Sequence, residues 1–368
     1  MLISVTNDLA TDQRVKKVCA SLYKMGYDVL LIGRKLPDSI PLDRPYPTIR
    51  MRLVFNKGAL FYAEYNIRLF LLLLFSKATV FHANDLDTLL ANFIASKLRG
   101  IPLVYDSHEY FTGVPEIQNR PLVKAIWLSI EKRIFPKLSF IFTVNESIAN
   151  LYKKEYNKDL RILRNIPEKV DLKLYKTRKE LGLPLSKAIV ITQGAGINID
   201  RGIEEALEAM QYLPHVCFLI IGNGDVVALL KEKTLELNLS NNVIFKGRMP
   251  YQEMMQYTRH AALGLTLDKD TNINYKFSLP NKLFDYIHAG IPILASKLIE
   301  VEYIINSYKI GLFIDNHTPK HIADQINKAI NDSDLRDKWA LNNIRAKKEL
   351  HWKNEEKELL EVYAHIES

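Results

Sequence analysis

The sequence predicts an α/β protein of two doubly wound domains of similar size, each built on a parallel sheet. Three observations carry this prediction. Short apolar, strand-like runs alternate with helical patterns along the whole chain, which is typical of βαβ units. The chain has 368 residues, more than a single core normally organises. The alternation is interrupted once, by a polar stretch that follows residues 164–167 and extends to Leu185.

In the first half, six apolar runs are predicted to be strands and five amphipathic segments are predicted to be helices. The strands are expected at Leu2–Val5, Val29–Ile32, Val80–His82, Leu103–Tyr105, Ile141–Val144 and Leu160–Leu163. The helices are expected at Gln13–Met25, Tyr65–Phe75, Thr88–Leu98, Val123–Phe135 and Ser147–Tyr156. Because the chain opens with a strand and has no basic segment before a cleavage site, we expect no signal peptide.

The second half repeats the pattern with six strands and five helices. The strands are expected at Ala188–Gln193, Cys217–Gly222, Val243–Lys246, Ala262–Thr266, Ile291–Ser296 and Leu312–Ile314. The helices are expected at Gly202–Met210, Val226–Leu237, Tyr251–Tyr257, Lys282–His288 and Pro319–Asn331. We therefore place the first domain at residues 1–165 and the second at 166–340. The charged helical tail, 341–368, is expected to pack back on the first domain. Ligands of such sheets bind beyond the carboxyl ends of the strands, so we expect a cleft between the domains.

Composition narrows the class of protein. The content of 48% hydrophobic and 25% charged residues is that of an ordinary globular chain. Cys19 and Cys217 lie far apart in apolar surroundings and are predicted to be reduced core residues. The net charge of +8 fits either a solvated basic surface or an anionic partner, a phosphate-bearing substrate or a membrane face. The basic residues are scattered, which argues against nucleic-acid binding.

The longest aliphatic run, Leu69–Phe75, is far shorter than the roughly 20 residues that span a bilayer. We interpret it as a buried helix, with contact at a membrane interface as the alternative.

The segment Lys276–Ser296 is the most informative for function. Pro280 suits the start of a helix, and Gly290 suits the left-handed residue that ends one. Such a helix start after a polar loop favours an anion. Asp285 lies on the same helix, and a carboxylate accepts hydrogen bonds from two hydroxyls. Together these features predict a pocket for a diphosphate and a ribose. A solvated surface aspartate is the alternative for Asp285.

Several motifs follow one another in an order that resembles a known family. They are Ser4–Asp8 with Thr11–Val15, His82–Asp85, Val104–Glu109, Thr143–Ser147, Arg164–Pro167, Gln193–Gly196 with Asp200–Gly202, Ile221–Gly224 and Phe245–Pro250. In this order they resemble the retaining family-4 glycosyltransferases of the GT-B fold (glycosyl transferases group 1). The chain departs from that family's pattern at Phe277 and Asp285, where two glutamates are typical, and at Ala195 or Gly196, where an arginine is typical.

The resemblance implies a GT-B architecture, with two Rossmann-like domains facing each other across a cleft and a helical tail. It implies a metal-independent enzyme with no cofactor that transfers a sugar, with retention, from a UDP- or GDP-linked donor to a hydroxyl acceptor. The acceptor class is a sugar or a lipid-linked glycan in bacterial surface-polysaccharide assembly. The enzyme would be cytoplasmic, in peripheral contact with the inner face of the plasma membrane.

The resemblance assigns the donor to the second domain. The expected donor-binding residues are Gly194, Gly196, Arg201, Gly222, Gly224, Arg248, Met249, Leu279, Asn281, Lys282 and Asp285. Arg201 would bind the diphosphate, and Lys282 would assist it. The glycines at 222 and 224 would admit the base or phosphate without a side-chain clash. Arg248 and Met249 would line the base.

The resemblance assigns the acceptor to the first domain. His108 and Glu109 are the expected catalytic residues, because they follow a buried strand at the edge that faces the cleft. Asn7, Asp12 and Arg14 are the expected acceptor-binding residues. Two alternatives stay open at this turn: Asp12 caps the following helix, and Arg14 pairs with Asp12 or Asp8.

The same motifs are compatible with other classes of protein. A GT-B epimerase or phosphorylase, or a non-catalytic nucleotide-sugar-binding subunit, fits the same motifs. A dinucleotide-dependent oxidoreductase is disfavoured because no strand is followed by the glycine fingerprint. Asp268 and Asp270 are interpreted as solvated loop residues, and no cluster has metal-ligand spacing.

Overall fold

The computed structural model describes residues 1–10, 12–37, 39–168 and 176–367. Thr11, from the first motif, and residues 169–175, from the expected linker, lie outside the described residues. The chain divides into two compact units. The first comprises residues 1–165 and the end of the chain from Glu355, and the second comprises Ile166–Asn354.

The first unit is built on a seven-stranded parallel sheet with the strand order β3-β2-β1-β4-β5-β6-β7. The strands are β1 Leu2–Asp8, β2 Leu30–Arg34, β3 Thr48–Met51, β4 Phe81–Asn84, β5 Leu103–Ser107, β6 Phe140–Thr143 and β7 Arg161–Ile162. The chain builds the sheet in one direction from β1 to β3 and in the other from β4 to β7. The strand order therefore reverses between β1 and β4, which is the position where doubly wound sheets bind ligands. Strand β3 was not predicted from the sequence.

Helices flank this sheet: α1 Gln13–Lys24, α2 Gly58–Phe75, α3 Leu86–Arg99, α4 Pro115–Gln118, α5 Pro121–Ile134 and α6 Glu146–Tyr156. Polar caps begin two of them. Asp12 accepts the backbone N–H of Val15 at α1, and Asn145 accepts that of Ile148 at α6. Gly100 adopts the left-handed conformation that ends α3.

The second unit has a six-stranded parallel sheet with the strand order β10-β9-β8-β11-β12-β13. The strands are β8 Ala188–Gly194, β9 Val216–Gly222, β10 Val243–Lys246, β11 Leu263–Thr266, β12 Ile293–Ser296 and β13 Gly311–Ile314. Here the order reverses between β8 and β11. Successive side chains of β8 enter different apolar clusters: Val190 lies in one cluster, and Ile189 and Ile191 lie in another. Because side chains alternate along a strand, both faces of the sheet are covered.

The helices of the second unit are α7 Ile203–Ala209, α8 Val227–Glu236, α9 Tyr251–Thr258, α10 Ile273–Lys276, α11 Asn281–Ala289, α12 Ile299–Tyr308, α13 Pro319–Asn331 and α14 Ser333–Glu349. The prediction for α11 is confirmed: Pro280 precedes its first residue and Gly290 ends it with a φ of 77°. Cys19 and Cys217 are free thiols in the core, and burial raises the pKa of Cys217 to about 11.

The expected boundary of the tail, at residue 341, is corrected to Glu355. Helix α14 belongs to the second unit because Trp339 and Ala346 pack in its two apolar clusters. The final helix, α15 Trp352–Glu367, joins the first unit from Glu355, whose carboxylate accepts two hydrogen bonds from the Arg164 guanidinium, the shorter at 2.6 Å. Tyr363 of α15 then contacts His82 of β4 at 2.6 Å.

Helix α2 departs from the prediction of a buried helix over Leu69–Phe75. It begins seven residues before the expected start, at Gly58, and buries only one face, at Phe61, Tyr65, Leu69 and Leu73. By length and composition it is the one helix among the described residues that could cross a bilayer. Of its 18 residues, 22% are buried. The aliphatic run is therefore split between the core and the surface.

Candidate functional site

The carboxyl ends of β4 and β5 place a histidine among polar partners in the first unit. The register pairs Asn84 with Asp106, and His108 follows two residues later. Its Nδ1 lies 3.1 Å from Asp85 Oδ2. Its Nε2 lies 3.1 Å from Asn84 Oδ1 and 3.5 Å from Asp106 Oδ2. The His108 side chain is 17% exposed, so the imidazole keeps some contact with solvent beyond the carboxyl end of β5.

Asp85 is held in a strained conformation that aims its carboxylate at His108. Its φ of 59° and ψ of 166° lie in a region that residues other than glycine rarely adopt, at a cost of about 1–3 kcal/mol. Its N–H donates to the Asp106 carbonyl at 2.9 Å, and its Oδ1 accepts the His108 backbone N–H at 2.8 Å. Asp85 and Asp106 thus position His108, a role that was not predicted from the sequence.

The two carboxylates keep His108 charged. Burial alone lowers the pKa of His108, but Asp85 and Asp106 raise it to about 9. Burial disfavours ionised Asp106, yet the Arg14 and His108 cations hold its pKa well below the usual range. His82 differs, because burial lowers its pKa to about 4 and leaves it neutral. The site therefore presents an imidazolium at neutral pH.

We expect the loss of the His108 charge at alkaline pH to lower the thermal stability of the protein. Its pKa is about 9 in the folded chain against an ordinary value of 6.5, so the folded state binds the proton more tightly. This contribution is complete below pH 6.5 and is lost as the pH rises through 9. Between pH 7 and 9.5 the melting temperature of the native protein should fall more steeply than that of His108→Gln. Parallel pH profiles of the two proteins would refute the assignment.

Arg14 does not pair with Asp12 or Asp8, as was expected among the alternatives. Its Nε and Nη2 donate to the two Asp106 oxygens at 2.9 and 2.6 Å, and its Nη1 donates to the Leu163 carbonyl. The side chain is only 3% exposed. Because the guanidinium is buried and engaged within the unit, the prediction that Arg14 binds an acceptor phosphate is withdrawn in favour of a structural role.

The other residues predicted for the first domain lie near the ends of β1 and β5. Asn7 is exposed and its amide donates to the Asp12 carboxylate at 3.1 Å. Asp12 is the cap of α1, as the alternative proposed. Glu109 is exposed, and its carbonyl accepts from Ser107 Oγ at 2.7 Å. Asn7 and Asp12 therefore stay predicted acceptor-binding residues, and Glu109 stays a predicted catalytic residue.

At the strand-order reversal of the second unit, two cationic side chains lie against one buried carboxylate. Arg201 Nη1 donates to Asp268 Oδ2 at 2.7 Å, and Lys282 Nζ lies 3.8 Å from Asp268 Oδ1. Asp268 follows β11 and is fully buried. The interpretation of Asp268 as a solvated loop residue is therefore wrong, because the cations at 201 and 282 enclose it. Asp270 is exposed, as expected.

The three charges leave this cluster with a net positive charge. The Arg201 guanidinium also lies 4.1 Å from the centre of the Tyr275 ring and keeps 22% of its side chain exposed. Burial lowers the pKa of Lys282, and Arg201 adds to this effect, while Asp268 opposes it. An anion that reaches the exposed side of Arg201 would relieve the repulsion between the two cations.

The glycines of this region separate into two kinds. At Gly194 and Gly196, a side chain would meet open space or only the Asn198 amide, so a ligand can approach the backbone there. At Gly222 and Gly224, a Cβ would overlap the Gly194 and Ile197 carbonyl oxygens. The expected reason for glycine at 222 and 224 is thus corrected: glycine there allows close packing of the chain itself.

Asp285 is buried on α11, 6% exposed, so the alternative of a solvated surface aspartate is wrong. Its Oδ2 accepts from Gln193 Nε2 at 3.0 Å, and its Oδ1 accepts from the Tyr251 hydroxyl at 2.9 Å. Burial and the Asp285 charge raise the pKa of Tyr251, so this hydroxyl stays protonated and donates. These bonds fix the carboxylate near the end of β8.

The remaining expected donor residues surround α9 and α11. Arg248 is exposed and Met249 is half-buried in the loop between β10 and α9. Leu279 is half-buried, and Asn281 is the exposed first residue of α11. Phe277, which stands where a glutamate is typical, ends the short helix α10. Among the residues that the structure describes, no group of three or more His, Cys, Asp or Glu side chains is arranged to hold a metal ion.

Two family models match consecutive parts of the sequence. The family model "Glycosyltransferase Family 4" matches residues 12–173, and "Glycosyl transferases group 1" matches residues 175–346. A curated relative, the 2-deoxystreptamine glucosyltransferase of Streptomyces kanamyceticus, is 25% identical over 189 residues, which cover 46% of this chain and 48% of that relative. The match therefore spans about half the length of this relative.

Solved structures share the fold at low sequence identity. A sucrose-phosphate synthase from Thermosynechococcus elongatus superposes with a TM-score of 0.80 at 17% identity, over 99% of this chain and 98% of that chain. HepE from Anabaena, in complex with UDP-glucose, has a TM-score of 0.74 at 16% identity over 99% of each chain. WaaG, a glycosyltransferase involved in lipopolysaccharide biosynthesis, has a TM-score of 0.71 at 14% identity, over 97% of this chain and 98% of that chain.

The family models follow one another along the chain: one covers every strand of the first sheet except β1, and the other covers all six strands of the second sheet. The chain therefore belongs to the group 1 glycosyltransferases of family 4 and has their two-domain, Rossmann-like GT-B fold with a C-terminal helical tail.

Proposed function

We propose that this protein transfers a glycosyl group from a UDP- or GDP-linked sugar to a hydroxyl acceptor. The observation that carries the proposal is the cluster of Arg201, Lys282 and Asp268 at the strand-order reversal of the second unit. Its net positive charge lies near the ends of β8 and β11, and Gly194 and Gly196 leave the backbone open at the end of β8. A nucleoside diphosphate is the anion that a sugar donor presents. The UDP-glucose complex of HepE, a protein of the same fold, supports this choice.

The second unit would bind the rest of the donor beside this cluster. Asp285 would accept the ribose hydroxyls, since Gln193 and Tyr251 already fix its orientation. The loop with Arg248 and Met249 would contact the base, and Leu279 and Asn281 would lie along the start of α11. Gly222 and Gly224 would contribute by shaping the backbone at the end of β9.

The proposed reaction exchanges one bond at the anomeric carbon. The acceptor oxygen forms a bond to the anomeric carbon, while the bond between the anomeric carbon and the diphosphate oxygen breaks. The acceptor proton goes to the departing diphosphate, and the new bond keeps the original configuration. Negative charge grows on the diphosphate, so Arg201 and Lys282 stabilise the transition state more than the bound donor. These side chains provide the counter-charge in a metal-independent reaction that needs no cofactor.

The first unit would bind the acceptor. The His108 imidazolium, held by Asp85 and Asp106, would present its positive charge to the acceptor at the carboxyl ends of β4 and β5. Glu109 and Asn7, which are exposed, and Asp12, which is half-buried, would accept hydrogen bonds from the acceptor hydroxyls. The relation to WaaG, a glycosyltransferase involved in lipopolysaccharide biosynthesis, favours a sugar or lipid-linked glycan of bacterial surface polysaccharide, assembled in the cytoplasm.

Release of nucleoside diphosphate from donor sugars, with and without acceptors, tests the proposal. We expect release only when an acceptor is present, with a product of unchanged anomeric configuration by NMR. An epimerase would convert the donor sugar without any acceptor. A non-catalytic subunit would bind the nucleotide, which raises the melting temperature, without turnover over a broad acceptor panel. Either outcome would replace the proposed transferase.

A further inference from the structure

Two neighbouring helices of the first unit expose rows of large apolar side chains. On α2 the row is Leu60, Ile67, Leu71 and Phe75, which are 47–80% exposed. On α3 it is Leu90, Ile94 and Leu98, which are 37–65% exposed. The two helices pack along each other, and residues three or four apart lie on one side of a helix. The rows therefore form one apolar surface, here called the α2–α3 face.

A third helix extends this face. Helix α5 packs on α3, and its Trp127 ring lies 5.1 Å from the Tyr62 ring of α2. Leu122 and Ile126 of α5 are 80% and 60% exposed. Large apolar side chains scattered singly over a surface are ordinary, whereas a contiguous patch marks an interaction site.

The exposed charged side chains of α2, α3 and α5 are cations. Lys57, Lys77 and Lys97 are exposed next to or within the two helices. The carboxylates of α2, α3 and α5 are instead engaged within the unit: Glu64 accepts the Val54 and Phe55 N–H groups, Asp87 accepts from Thr6, and Glu131 accepts from Tyr156. The face thus combines apolar side chains with cations and no free carboxylate on these three helices.

We propose that the α2–α3 face docks on an anionic lipid bilayer, with the two helices lying in the plane of the interface. Leu60, Ile67, Leu71 and Phe75 would enter the boundary of the acyl chains, while the lysines contact acidic headgroups. A protein partner or a second copy is less suited. In a two-fold dimer through this face, like charges would face one another.

Helix α2 cannot instead cross the bilayer without leaving the fold. Its other face is buried in the core, where Tyr65 donates to the Val5 carbonyl at 2.6 Å and Leu69 and Leu73 are fully buried. Its middle also carries Glu64 and Arg68, which form an ion pair at 2.6 Å. The helix therefore lies on the membrane as part of a folded unit.

Co-sedimentation of the full chain with vesicles tests this proposal. The protein should bind phosphatidylcholine vesicles that contain about a third phosphatidylglycerol, should bind pure phosphatidylcholine at least about tenfold more weakly, and should be released by high salt. The variant Ile67→Glu/Leu71→Glu should lose at least about tenfold in partitioning. The matched variant Leu229→Glu/Leu341→Glu, at exposed sites of the second unit, should bind like the native protein.

Folding and activity are followed in the same variants. Because the changed side chains are exposed, melting temperature and turnover of a soluble acceptor should match the native protein. A third variant, Lys77→Gln/Lys97→Gln, should weaken binding to the anionic vesicles alone. No binding of the native protein, or equal binding by both glutamate variants, would overturn the proposal. A native dimer that Ile67→Glu/Leu71→Glu dissociates would assign the face to a second copy.

Discussion

Replacing Asp106 by asparagine should lower the free energy of unfolding of the first unit by about 3–5 kcal/mol. The carboxylate is fully buried, binds the Arg14 guanidinium through both oxygens, and lies 3.5 Å from His108. Its removal leaves the Arg14 charge, in a side chain only 3% exposed, without compensation. Thermal unfolding of the full chain, read from the transition of the first unit, measures the loss.

A surface control and a double variant separate charge from packing in this experiment. Asp270→Asn changes the same functional group on a carboxylate that is 54% exposed, and it should change stability by no more than about 0.5 kcal/mol. Arg14→Met/Asp106→Leu removes both charges and should be more stable than Asp106→Asn alone. A loss for Asp106→Asn no larger than that for Asp270→Asn would show that the pair does not organise the unit.

Replacing Arg201 by glutamine should lower kcat/KM for the sugar donor by about 100-fold or more. The guanidinium holds the exposed positive charge of the cluster, while Lys282 lies deeper and shares Asp268. The change removes the contact that grows strongest as the diphosphate departs, so kcat should fall along with affinity. Initial rates of nucleoside diphosphate release measure both parameters.

The control for Arg201 must remove the same charge elsewhere in the second unit. Lys328→Gln does so at an exposed position of α13 and should keep native kinetics. Arg201→Lys should be faster than Arg201→Gln but slower than the native protein, because lysine keeps the positive charge but lacks the planar, bidentate guanidinium. If Arg201→Gln retains native kcat/KM, the cluster is a structural ion pair and the diphosphate binds elsewhere.

Sequence periodicity was sufficient to predict every strand of the two sheets except β3, but it did not predict all of the helices that connect them. The predicted strands lie in the two parallel sheets, yet α12 was not predicted between β12 and β13. Helix α12 could have been inferred, because two parallel strands need a crossover connection, which is usually a helix. Strand β3 is short and only its last residue, Met51, is buried, so its pattern was too weak. The extent of α2 was missed because its apolar residues cover both the buried and the exposed face.

The candidate site was predictable only where local sequence determines it. The cap at Asp12 and the helix end at Gly290 follow from neighbours along the chain. The Arg14–Asp106 pair joins residues 92 positions apart, and strand order brings them together. The burial of Asp268 likewise depends on Arg201, which lies 67 positions earlier. The strain at Asp85 arises from hydrogen bonds to the neighbouring strand, so no local pattern indicates it.

A crystal structure with the bound nucleoside diphosphate tests the central claim most directly. Of UDP and GDP, the ligand that raises the melting temperature more is the one to crystallise. We predict diphosphate oxygens within about 3.5 Å of the Arg201 guanidinium, next to the backbone at Gly194 and Gly196 and with the ribose at Asp285. A diphosphate bound beyond the reach of both Arg201 and Lys282 would contradict the account.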